Sequence, residues 1–255
     1  MPVRPEPAGE GLSASGVTAP GLRDVAFAAP PGTVTGLIGP AGAGKTSLLD
    51  VICGLRRASG GTLLLDGADL ARRPAHTRVH LGVARTFQRP RPFGTMTVRD
   101  NVRIAAEAHA LTCETAGRNA RDRHRRRRAA VHGSGRAADL LLARTGIAHH
   151  AGDLPAALPP GIVRLMELAR ALATRPRLLL LDEPSAGLPV REARALEVLI
   201  RDLAAEGLAV VLVERDLEQV MGVCDELYVL RGGRMVASGP PFQVRADTRY
   251  AQEAQ

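Results

Sequence analysis

A short apolar run, Val34–Ile38, leads straight into Gly39, Pro40, Ala41, Gly42, Ala43, Gly44, Lys45 and Thr46, and a helical pattern follows from Ser47 to Cys53 before Gly54 closes it. No other stretch restricts the fold so tightly. A strand, a glycine-rich turn and a helix in that order satisfy G-x-x-x-x-G-K-[ST]. The glycines let backbone N–H groups converge on a polyphosphate, and the helix turns its positive dipole end toward the same anion. Lys45 is placed to reach the outer phosphates and Thr46 to offer a hydroxyl to Mg²⁺; Ser47 joins the candidate binding residues. A chance lysine in a glycine-rich turn is the plain alternative, and the flanking strand and helix weigh against it.

The rest of the chain alternates in the same way. Strands are expected at Gly61–Leu65, Leu81–Phe87, Arg177–Asp182, Leu208–Val213, Glu226–Leu230 and Arg234–Ser238. Helices are expected at Val98–Leu111 behind a Thr97 N-cap, and at Arg136–Arg144, Val163–Ala173, Val190–Ala205 and Leu217–Val223. That alternation argues for an α/β fold with a mainly parallel sheet covered on both faces. Residues 1–20, rich in Pro, Gly, Ala and Ser, read as a loose arm, and the end of the chain reads as a ragged polar tail.

At 255 residues with 45% apolar and 24% charged side chains, the composition excludes wholesale disorder. Apolar runs such as Leu178–Leu181 fall far short of the roughly 20 residues that cross a bilayer. The opening Met-Pro-Val-Arg-Pro-Glu-Pro has no apolar core of a secretory signal. Cys53, Cys113 and Cys224 are too scattered for a metal site and fit a reduced, cytosolic setting. The net charge of +8 points less to a partner than it suggests, because Arg118–Arg136 holds eight arginines against one acid and carries nearly all of it. Nucleic acid and anionic lipid are two readings of that segment; a solvated face is favoured, since no aromatics interleave the arginines. Lys45 is the single lysine among 34 basic residues.

A second site element lies far downstream. Leu178–Asp182 is an apolar run ending in a carboxylate, and Glu183-Pro184 follows it. Asp182 is placed to hold the Mg²⁺ shell and Glu183 to polarise an attacking water. Two solvated turn acids are the alternative, and the upstream phosphate loop outweighs it.

With these pieces in order, the chain resembles the ATP-binding subunits of ABC transporters along nearly its whole length. Gly39–Thr46 matches the family's Walker A motif and Leu178–Glu183 its Walker B motif. Gln88 in Thr86-Phe87-Gln88 matches the Q-loop glutamine, 43 residues after Lys45. Leu158, Pro159, Pro160 and Gly161, followed by Glu167–Leu172, sit at the signature loop and its helix. Three further stretches resemble the branched-chain or hydrophobic amino acid importer branch. They are Thr86–Phe93, Glu183–Leu188 and Val220–Asp225.

The resemblance implies a P-loop NTPase (RecA-like) core, residues 1–88 and 175–255, with a helical subdomain at 89–174 that carries the signature loop. It implies ATP and Mg²⁺ as ligands, with Thr46, Gln88 and Asp182 around the metal and Glu183, Gln88 and the switch position as catalytic residues. Each ATP would lie between the Walker motifs of one subunit and Leu158–Gly161 of a second ATP-binding subunit, in a homo- or heterodimer. Integral membrane permease subunits, and indirectly an extracytoplasmic solute-binding protein, are the implied partners. The implied location is peripheral, on the cytoplasmic face of the cell membrane.

Four departures bear on activity. Arg215 stands where the family has its switch histidine, and arginine cannot act as a neutral imidazole. Pro159 and Pro160 replace signature residues, and Pro160 lacks a backbone donor. Pro189 stands at the D-loop aspartate. Upstream of the loop no aromatic is placed to stack on adenine, Phe27 being too close. Three readings follow: an active importer ATPase, the weak half of a heterodimer, and a subunit that binds ATP without turning it over. Intact Lys45, Thr46, Gln88, Asp182 and Glu183 favour the first two. A nucleic-acid-associated ABC ATPase is the alternative of another class. It is disfavoured because the chain has room for one ATP-binding domain and shows no metal-ligand spacing.

Overall fold

The computed structural model describes residues 10–113, 120–215 and 217–246. In chain order the strands and helices begin with β1 (Leu12–Ala19), β2 (Leu22–Ala29), β3 (Val34–Ile38), α1 (Lys45–Cys53), β4 (Gly60–Leu65) and β5 (Ala68–Asp69). Next come α2 (Ala75–His80), β6 (Val83–Arg85), α3 (Val98–Cys113), α4 (Ala120–Arg144), α5 (Pro160–Leu172) and β7 (Leu178–Asp182). The chain continues through α6 (Val190–Ala205), β8 (Ala209–Val213), α7 (Leu217–Met221), β9 (Glu226–Arg231), β10 (Arg234–Gly239) and α8 (Pro241–Ala246). By internal contacts the residues form two units. One comprises Met1–Arg85, Arg177–Pro184 and Ile200–Gln255; the other comprises Thr86–Pro176 and Ser185–Leu199.

The first unit holds both sheets. Its six-stranded sheet runs β10-β9-β3-β8-β7-β6, parallel from β9 to β6, with β10 antiparallel at one edge. β3, β7 and β8 are buried at every position, which is why their sequences are largely apolar rather than alternating, with Thr35 in β3 and Asp182 at the end of β7 as buried exceptions. The register sets Leu37 beside Val213 and Val213 beside Asp182, so three strands end together at their C-terminal edge. The apolar side of α1, through Leu48, Leu49 and Ile52, packs into a core with Phe27, Leu63, Leu180, Val211 and Tyr228. Phe27 is fully buried, its ring 4.8 Å from that of Tyr228. It is therefore closed to stacking on any ligand.

The reading of residues 1–20 as a loose arm is corrected from Leu12 onward, while residues 1–9 lie outside the described residues. β1 and β2 form an antiparallel hairpin across Pro20-Gly21, and β1 also pairs with β4, in a four-stranded sheet of order β2-β1-β4-β5. Buried Leu12, Ala14, Val17 and Ala19 line one side of β1. A bulge between Ala14 and Val17 breaks the two-residue alternation by which the strand would have been recognised. The polar tail likewise contains α8, and α2 was not expected at all; both are six-residue helices, too short to show a helical period.

In the second unit α3 packs against α4 and α5. The helix expected at Arg136–Arg144 begins as early as Ala120. Ala and Arg are both strong helix formers, so this arginine-rich stretch is helical without an apolar stripe to announce it. Arg118 lies outside the described residues, as do the side chains of the run Arg125–Arg128. Asn101, fully buried, stitches the start of α3 by donating to the carbonyls of Phe93, Met96 and Thr97 and accepting the Phe93 N–H at 2.8 Å.

Where β3 meets α1, the backbone leaves no room for a side chain at Gly39, whose φ is 150°. A Cβ there would stand 2.1 Å from the Leu230 carbonyl oxygen of β9. Gly39→Ala is expected to destabilise the protein by about 2 kcal/mol or more, since strand β9 cannot retreat without losing its pairing to β3. The shift of the urea unfolding midpoint, with unchanged slope, measures it.

Candidate functional site

The C-terminal edge of β3, β8 and β7 gathers four candidate side chains within the first unit. Lys45 begins α1, Asp182 ends β7, Glu183 follows it, and Arg215 lies two residues beyond β8. Two backbone bonds extend the strand register into the loops. Glu183 N–H donates to the Val213 carbonyl at 2.9 Å, and Glu214 N–H to the Leu37 carbonyl at 3.4 Å.

The loop from Gly39 to Gly44 is tight on its protein side and open on the other. A Cβ on Gly44 (φ 110°) would come within 2.6 Å of the Gly21 carbonyl oxygen, whereas one on Gly42 (φ 77°) would meet nothing within 4 Å. Ala43 is buried between them, and its carbonyl accepts the Gly233 N–H at 3.0 Å. Pro40, Ala41, Gly42 and Thr46 are exposed, and Ser47 is half-buried. Gly44 is the N-cap and brings no side chain, and the first turn of α1 contains no acid. The positive end of the helix is therefore met by no capping side chain and by no acid of its own first turn, and the loop in front of it is exposed at Pro40, Ala41 and Gly42.

Lys45 is buried, and its ammonium is folded back onto the loop, donating to the carbonyls of Gly39 and Pro40. Burial lowers its pKa, opposed by the nearby charge of Glu183. A cation held only by two backbone carbonyls can exchange them for anionic oxygens at a net electrostatic gain. Together with the open cradle at Gly42, this makes the loop fit a polyphosphate.

Asp182 is 2% exposed. Its Oδ2 accepts from Arg85 at 3.0 Å, while the same guanidinium reaches Asp50 of α1 at 2.6 Å and the Cys53 sulfur at 3.4 Å. Burial raises the Asp182 pKa and Arg85 opposes that shift. The expected metal ligands are sparse by themselves. Among the described residues no group of three or more His, Cys, Asp or Glu side chains could hold a metal. One buried carboxylate and one exposed hydroxyl, Thr46, match a Mg²⁺ ion that takes its remaining ligands from phosphates and water.

Glu183 has φ 48°, a left-handed conformation that costs a non-glycine residue about 1–2 kcal/mol. Its Oε1 accepts from Arg215 Nε at 2.6 Å, with the guanidinium side chain 64% exposed and the carboxylate 12% exposed. The Glu183 charge raises the Arg215 pKa. The arginine at the switch position is thus ion-paired with the very carboxylate expected to polarise water.

Gln88 and the loop Leu158–Gly161 belong to the second unit. Gln88 is exposed in an irregular stretch after β6. Pro159 is the N-cap of α5 and Pro160 its first residue, where the missing N–H costs the helix nothing. Gly161 is buried, and a Cβ on it would stand 2.6 Å from Leu188 Cδ2. The two prolines thus start the helix, and the glycine admits a neighbour.

Arg85 escaped sequence reading. It lies inside an expected strand, and neither of its carboxylate partners, 35 and 97 positions away, could be known before the sheet was assembled. The Glu183–Arg215 pair escaped for the same reason.

The model of the ABC transporter family matches residues 22–186. The chain is 37% identical over 216 residues, 84% of either protein, to the high-affinity branched-chain amino acid transport ATP-binding protein LivG of Escherichia coli (strain K12). It is 31% identical over 226 residues to the lipopolysaccharide export system ATP-binding protein LptB of Haemophilus influenzae, covering 89% of this chain and 87% of that one. Among solved structures, the ADP conformation of MJ1267, an ATP-binding cassette of an ABC transporter, superposes with a TM-score of 0.77 at 25% identity, over 95% of this chain and 97% of that one.

Two substitutions separate loop shape from loop charge. Gly42→Ala is expected to cost only ~1–2 kcal/mol of stability yet to weaken ATP binding about tenfold or more, because its methyl group enters the open cradle. Lys45→Ala is expected to weaken binding by at least about tenfold with the fold retained. Titration with a fluorescent ATP analogue, alongside urea unfolding, measures both.

Proposed function

The chain belongs to the ABC transporter family as an ATP-binding subunit, and from that premise we propose that it energises an importer of branched-chain or other hydrophobic amino acids, with slow or partner-dependent hydrolysis. LivG, the relative matched at 37% identity, supports the solute class; the exporter subunit LptB matches at 31%. The observation that carries the hydrolysis reading is the 2.6 Å ion pair between Arg215 and Glu183.

In this reading the first unit represents the RecA-like core (1–88 and 175–255) and the second the helical subdomain (89–174). The two contact units support that division, with 185–199 grouped on the helical side. Gly39–Ser47 wraps the ATP phosphates, and Lys45 leaves the Gly39 and Pro40 carbonyls for phosphate oxygens. Thr46, Asp182 and Gln88 hold Mg²⁺. When bound, that ion neutralises charge on the transferring phosphoryl group. Glu183, from its strained left-handed backbone position, orients and polarises the attacking water.

Arg215 restrains this last step. The Arg215 guanidinium occupies a carboxylate oxygen of Glu183, so the pair must open before Glu183 can act on water. The γ-phosphate is an anion that can compete for Arg215, which links opening to ATP. Leu158–Gly161 serves the ATP of a second ATP-binding subunit, identical or homologous, and a partner with a fuller signature loop offsets Pro159 and Pro160. A subunit that binds ATP without hydrolysing it is the second reading, and the same ion pair favours it.

No described helix is long and apolar enough to cross a membrane. In this reading the path for solute belongs to integral membrane permeases, with this chain peripheral on their cytoplasmic side and the solute-binding protein reached only through them.

Steady-state Mg-ATPase assays with the cognate permeases test the assignment. Glu183→Gln is expected to lower kcat by about 100-fold or more. Arg215→His is expected to raise kcat about two- to fivefold, the effect of removing an exposed ion pair worth up to ~1 kcal/mol. An unchanged rate in the first variant removes the role of Glu183, and an unchanged rate in the second removes the restraint. A parent with no turnover even beside its permeases points to the non-hydrolysing subunit.

A further inference from the structure

The segment Phe87–Phe93 satisfies its backbone in an unusual way. Pro90 and Pro92 have no N–H to give, and the segment belongs to no helix or strand. Several of its backbone groups are met by side chains from two helices. Glu167 of α5 accepts the Arg91 N–H at 2.6 Å and also the Phe87 N–H. Arg170, one turn further along α5, donates to the Arg91 carbonyl at 3.0 Å and lies over the Phe93 ring, 4.9 Å from its centroid. Asn101 of α3 takes the Phe93 N–H. Gln88 sits between the two amides that Glu167 holds.

Glu167 is 7% exposed on a helix whose neighbouring positions, Val163, Met166, Leu168 and Ala169, are buried and apolar. Burial alone raises its pKa; the Arg91 and Phe87 amides and the charge of Arg170 work against that. A buried carboxylate is costly unless it is hydrogen-bonded, and here its bonds go to one irregular segment of the same unit. The first turn of the same helix carries Pro160 and Gly161.

We propose that Glu167 is a positioning residue that locks the Gln88 segment to α5, so that Gln88 and the signature position Leu158–Gly161 move as one body. The proposal rests on the reading of Gln88 as the group that senses bound ATP. Its consequence is a direct mechanical link. Any shift of Gln88 toward or away from nucleotide is transmitted through the carboxylate to the helix start, six to seven residues before Glu167. Arg170 supports the same segment through the Arg91 carbonyl, which makes the attachment two-pointed and resistant to rotation.

Amide hydrogen exchange of the full-length protein tests this, with Glu183→Gln as the parent so that added ATP persists. In the parent, peptides covering 86–93 and 158–165 are expected to change protection together when ATP is added. In Glu167→Ala, residues 86–93 should exchange about tenfold faster or more, the effect of losing charge-assisted hydrogen bonds. Peptide 158–165 should then stop responding to ATP. Glu167→Gln retains one acceptor oxygen and should show a partial loss; it decides the matter by the same two peptides if the alanine variant does not fold. A purely structural role would instead speed exchange throughout the helical unit and leave the two peptides responding together. If both peptides still respond in both variants as in the parent, the lock is wrong and the role of Gln88 stands. If the parent binds ATP and neither peptide responds, the sensing role of Gln88 falls and takes the lock with it.

Discussion

The parallel register of β3, β8 and β7 is the constraint on which the candidate site depends. Leu37, Val213 and Asp182 lie on one line across the sheet, so the loops that leave these strands start from a common edge. A one-residue slip of β7 would turn Asp182 to the opposite face and carry Glu183 with it. Continuous burial on both faces holds the strands but does little to choose among registers, since β8 is apolar throughout and β7 is apolar up to Asp182. The choice comes from the ends. Glu183 bonds to Val213, Glu214 bonds to Leu37, and Gly39 passes the Leu230 carbonyl with no space for a Cβ. The location of the candidate site at the carboxyl ends of parallel strands is the usual outcome of such an α/β arrangement.

Each buried charge at these sites is answered by a group of the protein itself. Lys45 rests on loop carbonyls, Asp182 on Arg85, Glu183 on Arg215, and Glu167 on the amides of Phe87 and Arg91. Such pairing offsets desolvation, which would otherwise make an isolated charge prohibitively costly in the interior. The partners differ in how firmly they hold. Arg85 is itself buried and shared between two carboxylates, so it is part of the frame. Arg215 is largely exposed, and its bond to Glu183 exchanges readily with water or with another anion. The same type of ion pair thus builds a buried support at one carboxylate and, in the proposed reading, a releasable restraint at its neighbour.

Departures from the family pattern take on local physical meanings. Pro159 and Pro160 occupy the two helix positions where proline is best tolerated, so the loss of signature donors does not disturb α5. Gly161 keeps its type because Leu188 fills the space beside it. Arg215 keeps a polar contact with Glu183 but exchanges a neutral, titratable ring for a permanent charge.

The alternation of most strands and helices from β3 onward, and with it the α/β class, was legible in the chain because buried parallel strands are largely apolar runs and the phosphate loop has a local consensus. Its glycines, its lysine and the helix behind it are all close in sequence, so nearest-neighbour chemistry was sufficient. β1 and α8 were not legible, the first because a bulge breaks its alternation and the second because six residues show no period. Above all, the partners of the charges could not be read. Arg85 finds Asp50 and Asp182, Arg215 finds Glu183, and Glu167 finds the flanks of Gln88 across separations of 32 to 97 residues. Which chemistry this protein is equipped for was written in local pattern. Which side chain restrains, supports or moves another was decided only when the sheet and the helices brought distant segments within hydrogen-bond range, because a charge has no preferred partner until folding removes the water between them.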